Sequence, residues 1–175
     1  IIYKEEKNMQ MIEPEVVDAI WSKVGSMQEE QAMGLINTMS EKQPELLTYI
    51  MSAPDEFSDT EAEQMLYIGV VLWQIVAHSA KKLSMISEEM IIDLEEKNIS
   101  LMEKLDGESE GDGIAVVEDL LANYPQPHVL ASISEALVLD EDEDESEEDS
   151  ISEEARGTMM LILKTALDSL LKAAA

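Results

Sequence analysis

The sequence predicts an all-α fold: a multi-helix bundle or short helical-repeat array of about seven to eight helices, with signs of internal duplication. Three observations lead there. Apolar residues recur at three- and four-residue spacing along most of the 175 residues, the period of a helix with one buried face. The apolar supply, 45% of the chain, is Leu, Ile, Val, Ala and 12 Met with a single Phe, a mixture whose propensities favour helix over strand. Proline, glycine and serine fall between the periodic segments, where helices start and stop.

The elements follow in order. Pro14 suits the first turn of a helix from Glu15 to Val24, with Val17, Ile20, Trp21 and Val24 on one stripe and Gly25 as its stop. A second helix from Gln28 to Met39 uses Ala32, Leu35, Ile36 and Met39. Pro44 opens a short third helix that must end before Pro54 and whose apolar face is Leu46, Leu47, Ile50 and Met51. Ser58 and Glu61 have the spacing of a capping box, with Phe57 placed as a hydrophobic staple. The helix they open is apolar around most of its circumference, from Met65 through Trp73 to Ala77, so several neighbours must pack on it. Ser84 or Ser87 caps a further helix to Leu105, with Met90, Ile91, Leu94, Leu101 and Met102 inward.

Gly107, Gly111 and Gly113, interleaved with acids, make 106–113 the best linker in a chain otherwise read as one all-helical domain over 1–175. That linker admits a subdivision into 1–105 and 114–175. Helices then resume at Ile114 to Asn123, Pro127 to Leu139 and Ser152 to Lys172; the run IAVV at 114–117 is the best strand candidate, although its continuation suits a helix better. Between the last two helices, 140–149 read DEDEDESEED, nine carboxylates in ten positions. A block so charged has no burial to offset its ordering entropy and is expected as a solvated acidic loop.

Two stretches repeat in the same order. QPELLTYIMS at 43–52 matches QPHVLASISE at 126–135 in four positions of ten, and FSDTEAEQMLYI at 57–68 matches ISEEARGTMMLI at 151–162 in three of twelve. The second copy reads as the first with the acidic block inserted in its loop. Leu47 and Leu130 are then expected at equivalent core positions, as are Met65 and Met159.

A net charge of −28, from 39 acids against 11 bases, disfavours direct nucleic-acid binding and anionic membrane surfaces and favours basic proteins. The chain has no cysteine, which suits a reducing compartment and a cytoplasmic location, and no apolar run long enough to span a membrane. It opens without an initiator methionine, as a processed or trimmed chain would.

His78 and His128 are the only imidazoles. Neither has the spacing of a zinc or di-iron motif; His78 is expected partly buried or hydrogen-bonded at a helix end, and His128 in an exposed first turn. The acidic block lacks the glycine and terminal glutamate of a calcium loop, and Ser146 and Ser150, which lie among acids, suit an acid-directed kinase. No phosphate loop, dinucleotide fingerprint or nucleophile elbow occurs. The sequence therefore nominates no catalytic, cofactor-binding or metal-ligating residue, and no cofactor.

The reading that follows is a non-catalytic interaction or accessory protein that uses the acidic loop or a helical surface to receive a basic or otherwise complementary protein. Two alternatives stand beside it: a helical small-ligand-binding protein or enzyme with a site near Tyr67, Trp73 or His78, and an acidic mimic of nucleic acid. Exposed methionine stripes would favour a homodimer, which the charge opposes.

Overall fold

The computed structural model describes residues 9–52, 54–107, 118–138 and 151–174. The chain folds into α1 (Pro14–Gly25), α2 (Glu29–Lys42), α3 (Pro44–Met51), α4 (Asp59–Ser79), α5 (Glu88–Asp106), α6 (residues 118–123), α7 (Pro127–Val138) and α8 (Glu153–Ala173). Among the described residues, β-type pairing is confined to one bridge between Leu83 and Ala174. The IAVV run, most of the glycine linker and the acidic block lie outside the described residues.

Local chemistry explains most boundaries. Pro14 and Pro44 open α1 and α3, where a missing N–H costs no helical hydrogen bond. α2 continues to Lys42 rather than ending at Met39, because nothing before Pro44 breaks it and the Gln43 N–H still donates to Met39 O at 2.7 Å. The capping box at α4 forms as the spacing requires: Ser58 Oγ accepts from Glu61 N at 3.1 Å and Glu61 Oε2 accepts from Ser58 N at 2.9 Å. Ser87, not Ser84, caps α5. Ser84 instead donates its backbone N–H to Ala173 O at 3.0 Å, tying this segment to the end of α8.

One cluster of buried side chains draws on α1 to α5, α7 and α8. At its centre α4 packs against α8. Both are 21 residues long, both are capped by serine, and both end at an alanine in extended conformation, Ala80 and Ala174. Met65 and Met159, at the same distance from their caps, are completely buried, and Leu47 and Leu130 are buried in α3 and α7.

The contacts around this pair repeat. α3 packs on α4 and α8 as α7 packs on α8 and α4, while α1 touches α4 and α7 as α5 touches α8 and α3. Exchanging α1, α3 and α4 for α5, α7 and α8 thus maps these contacts onto themselves. The most specific link is a pair of buried glutamines, Gln43 and Gln126, 2% and 1% exposed. Gln43 Oε1 accepts from Ile86 N and its Nε2 donates to Ser84 O, both at 2.9 Å. Gln126 Oε1 accepts from Ile12 N at 2.7 Å and its Nε2 donates to Gln10 O at 3.0 Å. Each amide stands in for a neighbouring strand, satisfying an N–H and a C=O two residues apart in the segment that leads into the first helix of the opposite half. The halves hold each other reciprocally.

Methionine occupies both extremes of exposure. Met39, Met65 and Met159 are fully buried, whereas Met11, Met33, Met51 and Met85 are more than half exposed. Met11 and Met85 lie in the middle of the two clamped segments.

Candidate functional site

The helical scaffold assembles polar side chains in three places. The first lies between α5 and α8. Lys164 and Asp168, one turn apart on α8, form an ion pair at 2.7 Å with side chains only 12% and 16% exposed. Asn98 of α5, 5% exposed, faces them. Its Oδ1 accepts from Lys164 Nζ at 2.7 Å, and its Nδ2 donates to Asp168 Oδ2 and Thr165 Oγ1, each at 3.0 Å. The Tyr124 hydroxyl donates to Asp168 Oδ1, and Lys164 Nζ lies 5.4 Å from the centre of the Tyr124 ring, within range of a cation–π contact. Burial, and then the Asp168 carboxylate, push the Tyr124 hydroxyl far above the usual tyrosine range. Tyr124 is therefore a permanent donor here.

Three of the four cluster positions contributed by α5 and α8 are apolar in the other half, and the fourth, Asp168, corresponds to Gln74. Counted from the caps of α4 and α8, Val70 and Val71 stand where α8 has Lys164 and Thr165; counted from the clamped isoleucines, Val24 stands where α5 has Asn98. All three valines are buried. The fold accepts three valines and an uncharged amide at this place, so the charged pair is a property of the second half and not a requirement of the architecture. Chemically it is closed: both carboxylate oxygens of Asp168 and the Asn98 amide are engaged within the protein. It is built to fix α5 and Tyr124 on α8 rather than to move a proton.

The second place is a groove between α3 and α5, about 150 Å³ in volume, bordered by Glu45, Thr48, Tyr49 and Ser52 from one helix and Glu88, Ile91, Ile92 and Glu95 from the other. Residues at three- and four-residue spacing share a helix face, so each helix presents one ridge. The Tyr49 hydroxyl donates to Glu95 Oε1 at 2.8 Å. Burial first, and the Glu95 carboxylate second, raise it well above its ordinary value.

The third is the junction of two helix N-termini. Glu61, 5% exposed, completes the capping box of α4 with Oε2 and accepts with Oε1 from the N–H and hydroxyl of Ser152, the cap of α8, both at 2.9 Å. Burial pushes its carboxyl up, but the hydrogen bonds from Ser152 and Ser58 outweigh that and hold it below its usual value. Two helix dipoles favour the same ionised state. A cleft of about 310 Å³ beside it is edged by Glu56, Phe57 and Glu154.

The histidines are apart from all three. His78 is exposed in the last turn of α4, and His128 is exposed at the start of α7; Tyr67 and Trp73 pack into the core cluster, Trp73 only 3% exposed. Among the described residues no group of three or more His, Asp or Glu is arranged to hold a metal ion, and no helix is long and apolar enough to cross a membrane. Sequence reasoning missed Asn98, Tyr124, Lys164, Asp168 and the two glutamines. Signals existed: a Lys–Asp pair at i,i+4 inside the apolar run MMLILKTALDSLL, and Gln-Pro used twice.

Comparison with known proteins brings no relative: no family model, no curated protein and no solved structure matches the chain.

Proposed function

We propose that this is a non-catalytic interaction or accessory protein that receives a basic partner protein through its acidic surface, in a reducing compartment such as the cytoplasm. One observation carries the reading: a net charge of −28, so that most carboxylates have no basic side chain of their own to pair with. The resulting field speeds and orients the approach of cationic partners and repels polyanions. Exposed acids in the first turns of α1, α2, α3, α5 and α8 distribute that field over several faces.

The test is capture on the immobilised full chain at low salt, in parallel with a form whose residues 140–149 are replaced by a neutral Gly/Ser stretch. The expected result is a discrete basic protein that elutes as salt rises. Loss of that protein with the acidic block assigns recognition to the loop, and retention by both forms assigns it to the helical surface. Failure of any basic protein to bind either form would overturn the reading.

A further inference from the structure

We propose that the groove between α3 and α5 is the seat for a Lys- or Arg-bearing amphipathic segment of a partner protein, an assignment that rests on the acidic-interaction reading and gives it an address. The groove is doubly unpartnered. Ile92, 47% exposed, stands beside the buried Ile91 and leaves apolar surface open to water along α5. Glu45, Glu88 and Glu95 line the same groove, and none of the bordering residues is basic.

Apolar surface rimmed by charge of one sign selects the complement of both features. A lysine or arginine has an aliphatic stem ending in a cation, and an amphipathic segment adds an apolar residue one turn away. Seated here, the apolar side chain covers Ile92 while the cation reaches the carboxylates. The rim is partly prearranged, because the bond from Tyr49 holds one oxygen of Glu95; less side-chain entropy is then lost on binding. A second copy of the chain is a poor occupant, since two bodies of charge −28 repel each other. A bare metal ion would leave Ile92 uncovered.

The experiment uses the full chain and, as probe, a fluorescent synthetic helix-forming peptide with Leu and Lys at amphipathic spacing; its Glu-for-Lys counterpart is the control. Two double variants change the net charge by the same amount at exposed first-turn positions, Glu45→Lys with Glu88→Lys in the groove and Glu29→Lys with Glu30→Lys on α2. A third, Ile92→Ser, removes only the apolar contact. The Lys peptide is expected to bind at low salt and the Glu peptide not. The groove variant should weaken binding about tenfold or more and the α2 variant about threefold or less, the difference separating local contact from the long-range field. Ile92→Ser should weaken it as well.

Equal weakening by the two charge variants, or no change with Ile92→Ser, overturns the groove while leaving the acidic-interaction reading in place. Failure of the wild-type chain to bind the Lys peptide overturns both. Circular dichroism establishes that each variant is folded. Amide shifts of the unaltered protein on adding the peptide give an independent readout: shifts centred on α3 and α5 support the assignment, and shifts confined elsewhere refute it.

Discussion

Gln43→Ala removes one of the two amides by which the halves of the molecule hold each other. The side chain is 2% exposed and makes two hydrogen bonds of 2.9 Å to backbone atoms of Ser84 and Ile86. A typical intramolecular hydrogen bond contributes about 1 kcal/mol net, and a buried backbone group left without a partner costs about 1–3 kcal/mol. Ile86 is 1% exposed, so its N–H regains water poorly, whereas Ser84 is exposed and its carbonyl is more readily rehydrated. The expected loss is therefore about 3 kcal/mol, which for a chain of this length lowers the midpoint of thermal unfolding by roughly 6–12 °C. Urea unfolding followed by far-UV circular dichroism measures it directly. Gln126→Ala should cause a similar loss, because it abandons Ile12 N–H and Gln10 C=O in the same geometry. A loss below about 0.5 kcal/mol in both variants would show that water replaces the amides without penalty, and the reciprocal clamp would then be no part of what holds the fold together.

Three further outcomes are expected. A methyl group added at Gly69 would sit 2.7 Å from Ile50 Cδ1, so Gly69→Ala should destabilise by about 1–3 kcal/mol through overpacking of α3 on α4, and Ile50→Val in the same chain should recover part of that loss. Glu61→Ala should cost about 2–3 kcal/mol in urea unfolding, since it removes acceptors for Ser58 and Ser152 at a charged, buried site. Because the folded carboxyl of Glu61 lies below its unfolded value, its ionisation contributes stability that is complete above the unfolded carboxylate range and disappears as pH falls through the folded value; the gap between wild type and Glu61→Gln should narrow in that acidic window. Rewriting the polar cluster after the other half, as Asn98→Val, Lys164→Val, Thr165→Val and Asp168→Gln together, should be neutral or stabilising, whereas Lys164→Val alone should cost about 2–3 kcal/mol by stranding Asp168 and Asn98. Calorimetry on the two variants distinguishes them, and a larger loss from the fourfold change than from the single one would refute the reasoning.

Much of the architecture was legible residue by residue. The capping box at Ser58, the prolines that open α1 and α3, and the apolar circumference of α4 act through backbone geometry within a few residues, so spacing alone discloses them. α5 was less transparent. Of its expected inward residues only Ile91 is fully buried, while Met90, Leu94, Leu101 and Met102 are half-buried and the polar Asn98 goes inside. An amphipathic pattern identifies the face of a helix that turns inward; it does not show that the partner helix brings a lysine and an aspartate to meet an asparagine there. Composition alone does not tell which methionines are buried: Met11, Met33, Met51 and Met85 are more than half exposed, and a flexible unbranched side chain tolerates solvent as well as packing.

By itself the sequence determined the helical class, the order of the helices and most of their starts, the buried places of Leu47, Leu130, Met65 and Met159, and the dominance of negative charge. Those properties are set by local conformational energies and by composition, and neither depends on where distant segments come to lie. Only the tertiary structure decided that Gln43 and Gln126 each clamp a segment of the opposite half, that Glu61 caps two helices at once, and that Glu45, Glu88 and Glu95 border one groove. These relations join residues tens of positions apart in the chain. They exist because α4 and α8 pack against each other and carry their flanking helices into contact, and no periodicity records that meeting.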